Sequence, residues 1–226
     1  MEPLQLREKE VFDALNQIKN YKFVVIGGYA VNAYTLPRFS VDCDIVTEER
    51  GTTAKITKEL YKLDYAKAKD TDFGPYAGDF LRYEKTIKKN FMVSFDILIK
   101  NVYDRQTKAI FSAEWVFKNS SLIMLKGKTI TQELNIRIVN PDALLVMKVV
   151  SCRNTDIRDI FMLTPQVKDF GWAKKEISER VDFGNRFSKI MDKITSAQFK
   201  DNLQGVYGFI DKELFERNKR LITELA

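Results

Sequence analysis

Asp42 and Asp44 stand one residue apart in Phe39-Ser40-Val41-Asp42-Cys43-Asp44-Ile45-Val46, a stretch whose alternation predicts a β-strand. Side chains at i and i+2 of a strand share a face, so both carboxylates project together while Cys43 points the other way. A third carboxylate, Asp96, interrupts the apolar run Val93-Ser94-Phe95-Asp96-Ile97-Leu98-Ile99, where an ionised group is costly unless something pairs with it. If the two strands are neighbours, three carboxylates meet. Such a cluster repels itself unless a cation sits in it, and a hard divalent ion, Mg²⁺ or Mn²⁺, is the natural occupant beside phosphate oxygens. Upstream, Gly27-Gly28 follows the short strand Tyr21–Ile26 and opens a helical stretch, a junction at which backbone N–H groups can approach a phosphate closely. Between glycines and carboxylates lies Pro37-Arg38-Phe39-Ser40, where Arg38 could grip a phosphate oxygen and Ser40 lend a hydroxyl. Taken singly, each feature also has an ordinary reading: a turn, a solvated strand face, a satisfied buried aspartate, a surface arginine, a serine at a strand start.

Composition narrows the chemistry further. Among 226 residues there is no histidine, which removes Ser-His-Asp and Cys-His catalysis and imidazole metal ligands. The two cysteines, Cys43 and Cys152, are too few for a zinc site or a disulfide framework. Carboxylates, lysines, arginines and backbone amides are what remain, a set suited to divalent metals and phosphates. The formal charge is +6, with 25 basic and 21 acidic residues up to Thr164 and 12 and 10 beyond it. That spread excess favours a polyanionic partner only mildly. Apolar residues at 45% and charged residues at 30% fit a folded protein with a sizeable core. No apolar run approaches the roughly 20 residues of a bilayer span, and the N-terminal residues have no apolar secretion core, so a cytoplasmic location without membrane contact is expected.

The elements that must position these groups follow from periodicity. Pro3–Asn20 reads as an amphipathic helix carrying Leu6, Val11, Leu15 and Ile18. Helices are expected over Tyr29–Tyr34, Thr52–Leu63 and Val102–Phe111, and strands over Asp79–Glu84, Phe91–Ile99, Ser121–Leu125, Lys128–Ile130 and Leu134–Val139. Residues 65–77 read as a loop, and Ile87-Lys88-Lys89-Asn90 as the turn between two strands. At Asn140-Pro141-Asp142 the character changes: an N-cap residue, a proline suited to the first helical position and an early acid announce a helix. Beyond it, helices are expected near Trp172–Arg180, Phe183–Ile194 and Leu203–Leu225. The expectation is an α+β chain, with an α/β catalytic domain over residues 1–140 and a helical domain over 141–226.

Gly27-Gly28, the thirteen residues before the first Asp, and the Arg-x-Ser preceding Asp42-Cys43-Asp44 resemble the signature of the polymerase-β-like nucleotidyltransferases. The likeness is closest to the abortive-infection (AbiE-type) toxin branch. It extends through Asn140-Pro141-Asp142-Ala143-Leu144-Leu145-Val146-Met147-Lys148 to Arg153 and Arg158-Asp159-Ile160, covering roughly residues 23 to 163. Ser40 stands where threonine is usual, and Met162 where a second acidic residue often follows the Asp159 position. The resemblance implies a mixed sheet flanked by helices and a metal-dependent transfer of a nucleoside monophosphate from an NTP to a hydroxyl. It implies Asp42, Asp44 and Asp96 as metal ligands, with Asp96 deprotonating the acceptor. Gly27 and Gly28 would cradle the triphosphate. Lys148 would contact nucleotide phosphates or steady the carboxylates, and Arg153 and Asp159 would be supports. RNA, specifically the tRNA 3′ end, is the acceptor it implies, with a cognate antitoxin as partner. A small antibiotic-like acceptor or a protein is the alternative, and a non-catalytic nucleotide- or RNA-binding module is the alternative of another class. Tyr76, Tyr83, Trp115 and Trp172 are candidates to stack on bases, or else core and loop anchors.

Overall fold

A computed structural model of the chain describes residues 2–69, 79–88 and 91–225. The chain divides into two compact units: residues 1–33, 39–103 and 111–139 form the first, and residues 34–38, 104–110 and 140–226 the second.

The first unit is built on a seven-stranded sheet. Its strands are β1 (Val24–Ile26), β2 (Asp42–Thr47), β3 (Ala66–Lys67), β4 (Phe80–Lys88), β5 (Phe91–Ile99), β8 (Ser120–Lys126) and β9 (Glu133–Val139), in the order β3-β4-β5-β2-β1-β9-β8. The short strands β6 (Asn101–Tyr103) and β7 (Ile110–Ser112) pair separately. The main sheet is mixed: β2 runs parallel to β5 and β1 parallel to β9, while β1–β2, β3–β4, β4–β5 and β8–β9 are antiparallel. One face carries Cys43, Ile45, Phe95 and Ile97, all fully buried. The period of two sends Asp42, Asp44, Ser94 and Asp96 to the opposite face.

Helix α1 (Pro3–Ile18) buries Val11, Phe12, Ala14, Leu15 and Ile18 along one stripe, as the sequence periodicity predicts. Glu8, on the same helix and 2% exposed, accepts bonds from the backbone N–H groups of Lys128 and Thr129 and from the Thr129 hydroxyl. This explains a departure from expectation. Lys128–Ile130 forms no strand, because a buried carboxylate takes the N–H groups that a ladder would have used. Helices α2 (Gly27–Asn32), α3 (Arg50–Lys62) and α4 (Ala113–Lys118) complete the unit. The expected helix over Val102–Phe111 is absent. Asp104 instead accepts bonds from the N–H groups of Gln106 and Thr107, and Lys108 takes a positive φ of 65°, so a tight turn forms where a helix was read.

In the second unit, Pro141 opens α5 (Pro141–Ser151), which ends at Cys152 in a left-handed conformation (φ 46°, ψ 42°). Helix α6 (Asn154–Leu163) starts afresh, with the Arg153 N–H donating to Asp156 Oδ2 at 3.1 Å. A 3₁₀ turn (Thr164–Gln166) leads into α7 (Phe170–Ser178), α8 (Phe183–Ile194), α9 (Phe199–Tyr207) and α10 (Lys212–Thr223). The expected single helix Leu203–Leu225 is two, because Gly208 adopts φ 91°, ψ −156°, a conformation that side-chain-bearing residues rarely enter. Phe161, Phe199 and Phe215 pack as an aromatic cluster, with ring centroids 5.1–6.4 Å apart. Among the described residues no helix is long and apolar enough to cross a membrane.

Candidate functional site

Register brings the carboxylates of the first unit together. In the parallel β2–β5 ladder Asp44 lies opposite Asp96 and Asp42 opposite Ser94, so all three aspartates share one face on adjacent strands. Each is also engaged locally. The Ser94 hydroxyl donates to Asp42 Oδ1. Arg82, facing Asp96 from β4, donates through Nε to Oδ1 at 2.7 Å and through Nη2 to Oδ2 at 2.6 Å. This bidentate pair is what makes a carboxylate tolerable at 7% exposure. The bond to Asp96 lifts the Arg82 guanidinium further above its ordinary value. Cys43, on the buried face, has its thiol pushed well up, first by burial and then by the neighbouring aspartate charges.

Gly27 has a specific reason to be glycine. Its φ is 66°, and a Cβ built there would come within 2.0 Å of Asp44 Oδ2. The turn therefore lies directly against the first carboxylate pair, because Ile26 at the end of β1 is registered with Asp44. Ser40, read as lending a hydroxyl to a phosphate, donates it to the Asp42 carbonyl at 3.3 Å.

Among the described residues, no three Asp, Glu, His or Cys side chains gather tightly enough to hold a metal ion as they stand. The donor chemistry nonetheless fits a hard divalent cation. Asp42 and Asp44 would offer oxygens from one strand, and Asp96, whose two oxygens are bonded to Arg82, would add its own only if freed from that pair.

A second polar cluster is buried within the helical unit. Lys148 Nζ sits 2.8 Å from both Asp156 Oδ1 and Asp159 Oδ2. Arg38 clasps Asp159 through Nε (2.9 Å) and Nη2 (2.8 Å), and the Tyr207 hydroxyl donates to Asp159 Oδ1 at 2.7 Å. Burial alone would raise the Asp159 pKa, but the Lys148 and Arg38 charges outweigh it and hold the carboxyl well below the usual range. Burial likewise would lower the Lys148 pKa, yet Asp159 and Asp156 keep it above its ordinary value. The helix break at Cys152 makes this possible. On one continuous helix Asp159 would lie about 16 Å along the axis from Lys148, whereas the turn folds it back into contact. Lys148, read as a phosphate contact or a support for the carboxylates, is thus bound to two carboxylates of its own unit. Arg38, read as a phosphate ligand, is likewise committed to Asp159. Arg153 is largely exposed, with Nη2 3.5 Å from Asp104 Oδ2.

Arg82, Ser94 and Tyr207 went unread in the sequence. For Arg82 a signal existed: a turn read at Ile87–Asn90, whose last two residues lie outside the described ones, sets its expected partner to within one residue of Asp96. A register shift between Thr86 and Lys88 decides that residue. Of the aromatic candidates, Tyr83 is core, packed edge-on to Tyr61, and Trp115 is tilted against Phe111. Trp172 is half-buried, and Tyr76 lies outside the described residues.

No protein family matches the sequence, and no curated protein does. Solved structures do. JHP933 from Helicobacter pylori superposes with a TM-score of 0.52 at 16% identity, covering 100% of this chain and 92% of that one. The antibiotic-resistance factor ANT(2″)-Ia, solved with adenylyl-2″-tobramycin, gives 0.49 at 14% identity over 81% of this chain and 98% of that one. The lincosamide antibiotic adenylyltransferase LnuA, solved with lincomycin, gives 0.47 at 20% identity over 71% and 98%. The chain has an α+β fold similar to that of JHP933, with a mixed sheet flanked by helices and a helical region after it.

Proposed function

We propose that the chain is a divalent-metal-dependent nucleotidyltransferase that moves a nucleoside monophosphate from an NTP to a hydroxyl of an RNA acceptor, the tRNA 3′ end first. A toxin restrained by a cognate antitoxin is the setting that this reading implies. The observation that carries it is the register of Asp42 and Asp44 with Asp96 directly across, against a glycine turn that no other residue could occupy undisturbed. Packing three carboxylates on one face has no benefit to a protein that only binds nucleotide.

On this reading Asp42 and Asp44 would hold the cation, and Asp96 would join them once freed from Arg82. A divalent ion so placed stabilises charge developing on the phosphoryl oxygens. Asp96 then accepts the proton of the acceptor hydroxyl at a carboxylate oxygen. The hydroxyl oxygen bonds to the α-phosphorus, the bond from that phosphorus to the bridging oxygen breaks, and pyrophosphate leaves. The N–H groups of the Gly27-Gly28 turn orient the triphosphate, and Arg82 retains its positive charge beside it. No step requires a histidine, in keeping with the composition.

The test is incubation of the protein with each α-labelled NTP, Mg²⁺ or Mn²⁺, and total tRNA. The Asp42→Asn/Asp44→Asn variant runs alongside. Label on RNA that vanishes in the variant supports the proposal, and label on a small molecule moves the acceptor to that class. Nucleotide bound without transfer under every condition overturns the enzyme reading.

A further inference from the structure

The first unit carries a second basic feature outside the aspartate cluster. Lys19, Tyr21, Lys22 and Phe23, on the connection from α1 to β1, meet Leu122 of β8 and Arg137 of β9 around an open depression of about 100 Å³. Three cations line it, and the acid that pairs with any of them among the described residues is Glu48, bonded to Lys22. Lys19 bonds the neutral Asn16 side chain. Arg137 is half-buried and donates through Nη1 alone, to the Ser120 carbonyl at 3.2 Å and hydroxyl at 3.4 Å. Its Nε and Nη2 donors have no acceptor among the described residues. A guanidinium anchored by one nitrogen, with the rest of its planar fork facing a depression shared with two lysines, is built to receive an oxyanion. Apolar surface borders it: Leu122 is 61% exposed and Met124 44%.

Register relates this feature to the aspartates. Val25 pairs with Ile138, and Ile26 with Asp44, so Arg137 and Leu122 project from the same face of the sheet as Asp44. Two strand spacings of about 4.8 Å and two residues of about 3.3 Å rise separate Arg137 from Asp44, roughly 12 Å in all. Arg137 Nη1 reaches Ser120 on the edge strand β8, one strand further from Asp44.

We infer that this depression is a phosphodiester-binding subsite, in which Arg137, Lys19 and Lys22 hold a backbone phosphate of a single-stranded nucleic acid and Tyr21 and Leu122 flank its base. The inference deepens the proposed transfer reaction and rests on it for the acceptor's role. The binding itself is tested separately. Fluorescence anisotropy of a labelled short single-stranded RNA is measured with the parent protein, Arg137→Ala and Lys19→Glu over a series of salt concentrations. Lys19 is exposed, so its variant keeps the test meaningful if Arg137→Ala perturbs the fold.

Each variant is expected to bind roughly tenfold more weakly, as loss of one charge-assisted contact implies. Arg137→Ala should also lower the slope of log affinity against log salt by about one. An uncharged oligomer of the same sequence should not bind, whereas inorganic phosphate should compete only at high concentration. Unchanged affinity and slope in both variants would overturn the subsite. Arg137-dependent RNA binding without any nucleotide transfer would keep the subsite and refute the enzyme. Transfer to RNA with binding indifferent to Arg137 and Lys19 would do the reverse.

Discussion

On the proposed reading a metal ion competes with Arg82 for the Asp96 oxygens, and the consequence can be measured without any turnover. Replacing Arg82 by alanine removes two charge-assisted hydrogen bonds of 2.7 and 2.6 Å from a carboxylate with only 7% exposure. Breaking a fully buried pair costs about 3–5 kcal/mol. The Arg82 side chain is 32% exposed, however, so solvent screening discounts that figure to about 1–2 kcal/mol. Urea unfolding in EDTA should show that loss. The same 1–2 kcal/mol is what a cation must overcome to recruit Asp96 in the parent. In Arg82→Ala it no longer has to, so Mn²⁺ should bind about 5- to 30-fold more tightly by calorimetry. Added Mn²⁺ should then recover much of the lost stability. Destabilisation with Mn²⁺ affinity unchanged or weaker would refute the competition, and with it the idea that Asp96 is a latent metal ligand.

Gly27→Ala should destabilise the chain by about 1–3 kcal/mol in thermal or urea unfolding. It combines a strained positive φ with a Cβ placed 2.0 Å from Asp44 Oδ2. Asp159 has a folded-state pKa below its unfolded value of 3.8. Its contribution to stability is therefore complete above that value and fades as pH falls beneath it. Asp159→Asn should accordingly lower the urea midpoint at neutral pH and flatten its acid limb. Lys148→Ala leaves Asp156 without its buried cation, while Asp159 keeps Arg38, and a loss of about 3–5 kcal/mol is expected in the unfolding free energy.

The parts of the fold legible in the sequence are those governed by short-range pattern. The apolar stripe of α1, the Pro141 helix start and the alternation around Asp42 and Asp44 each follow from neighbours a few residues apart. The shared face of Asp42 and Asp44 follows from strand periodicity alone, whereas the place of Asp96 opposite Asp44 needed the pairing of β2 with β5. Long-range bonds account for much of what was missed, and one local turn for the rest. Glu8 takes backbone donors 120 and 121 residues away, which no local pattern announces, and so removes an expected strand. Asp104 closes a turn inside a segment of helical composition. Arg38 and Lys148 illustrate the same limit: their positions suggested phosphate contacts, and their partners Asp156, Asp159 and Tyr207 emerge only once the chain folds back at Cys152.

A crystal of the full chain soaked with Mn²⁺ and a non-hydrolysable NTP addresses the central assignment most directly. The expected result is an anomalous peak about 2.1 Å from oxygens of Asp42 and Asp44, with Asp96 turned from Arg82 towards it and the triphosphate against the Gly27 turn. Manganese and nucleotide bound elsewhere, with the Arg82–Asp96 pair intact, would contradict it.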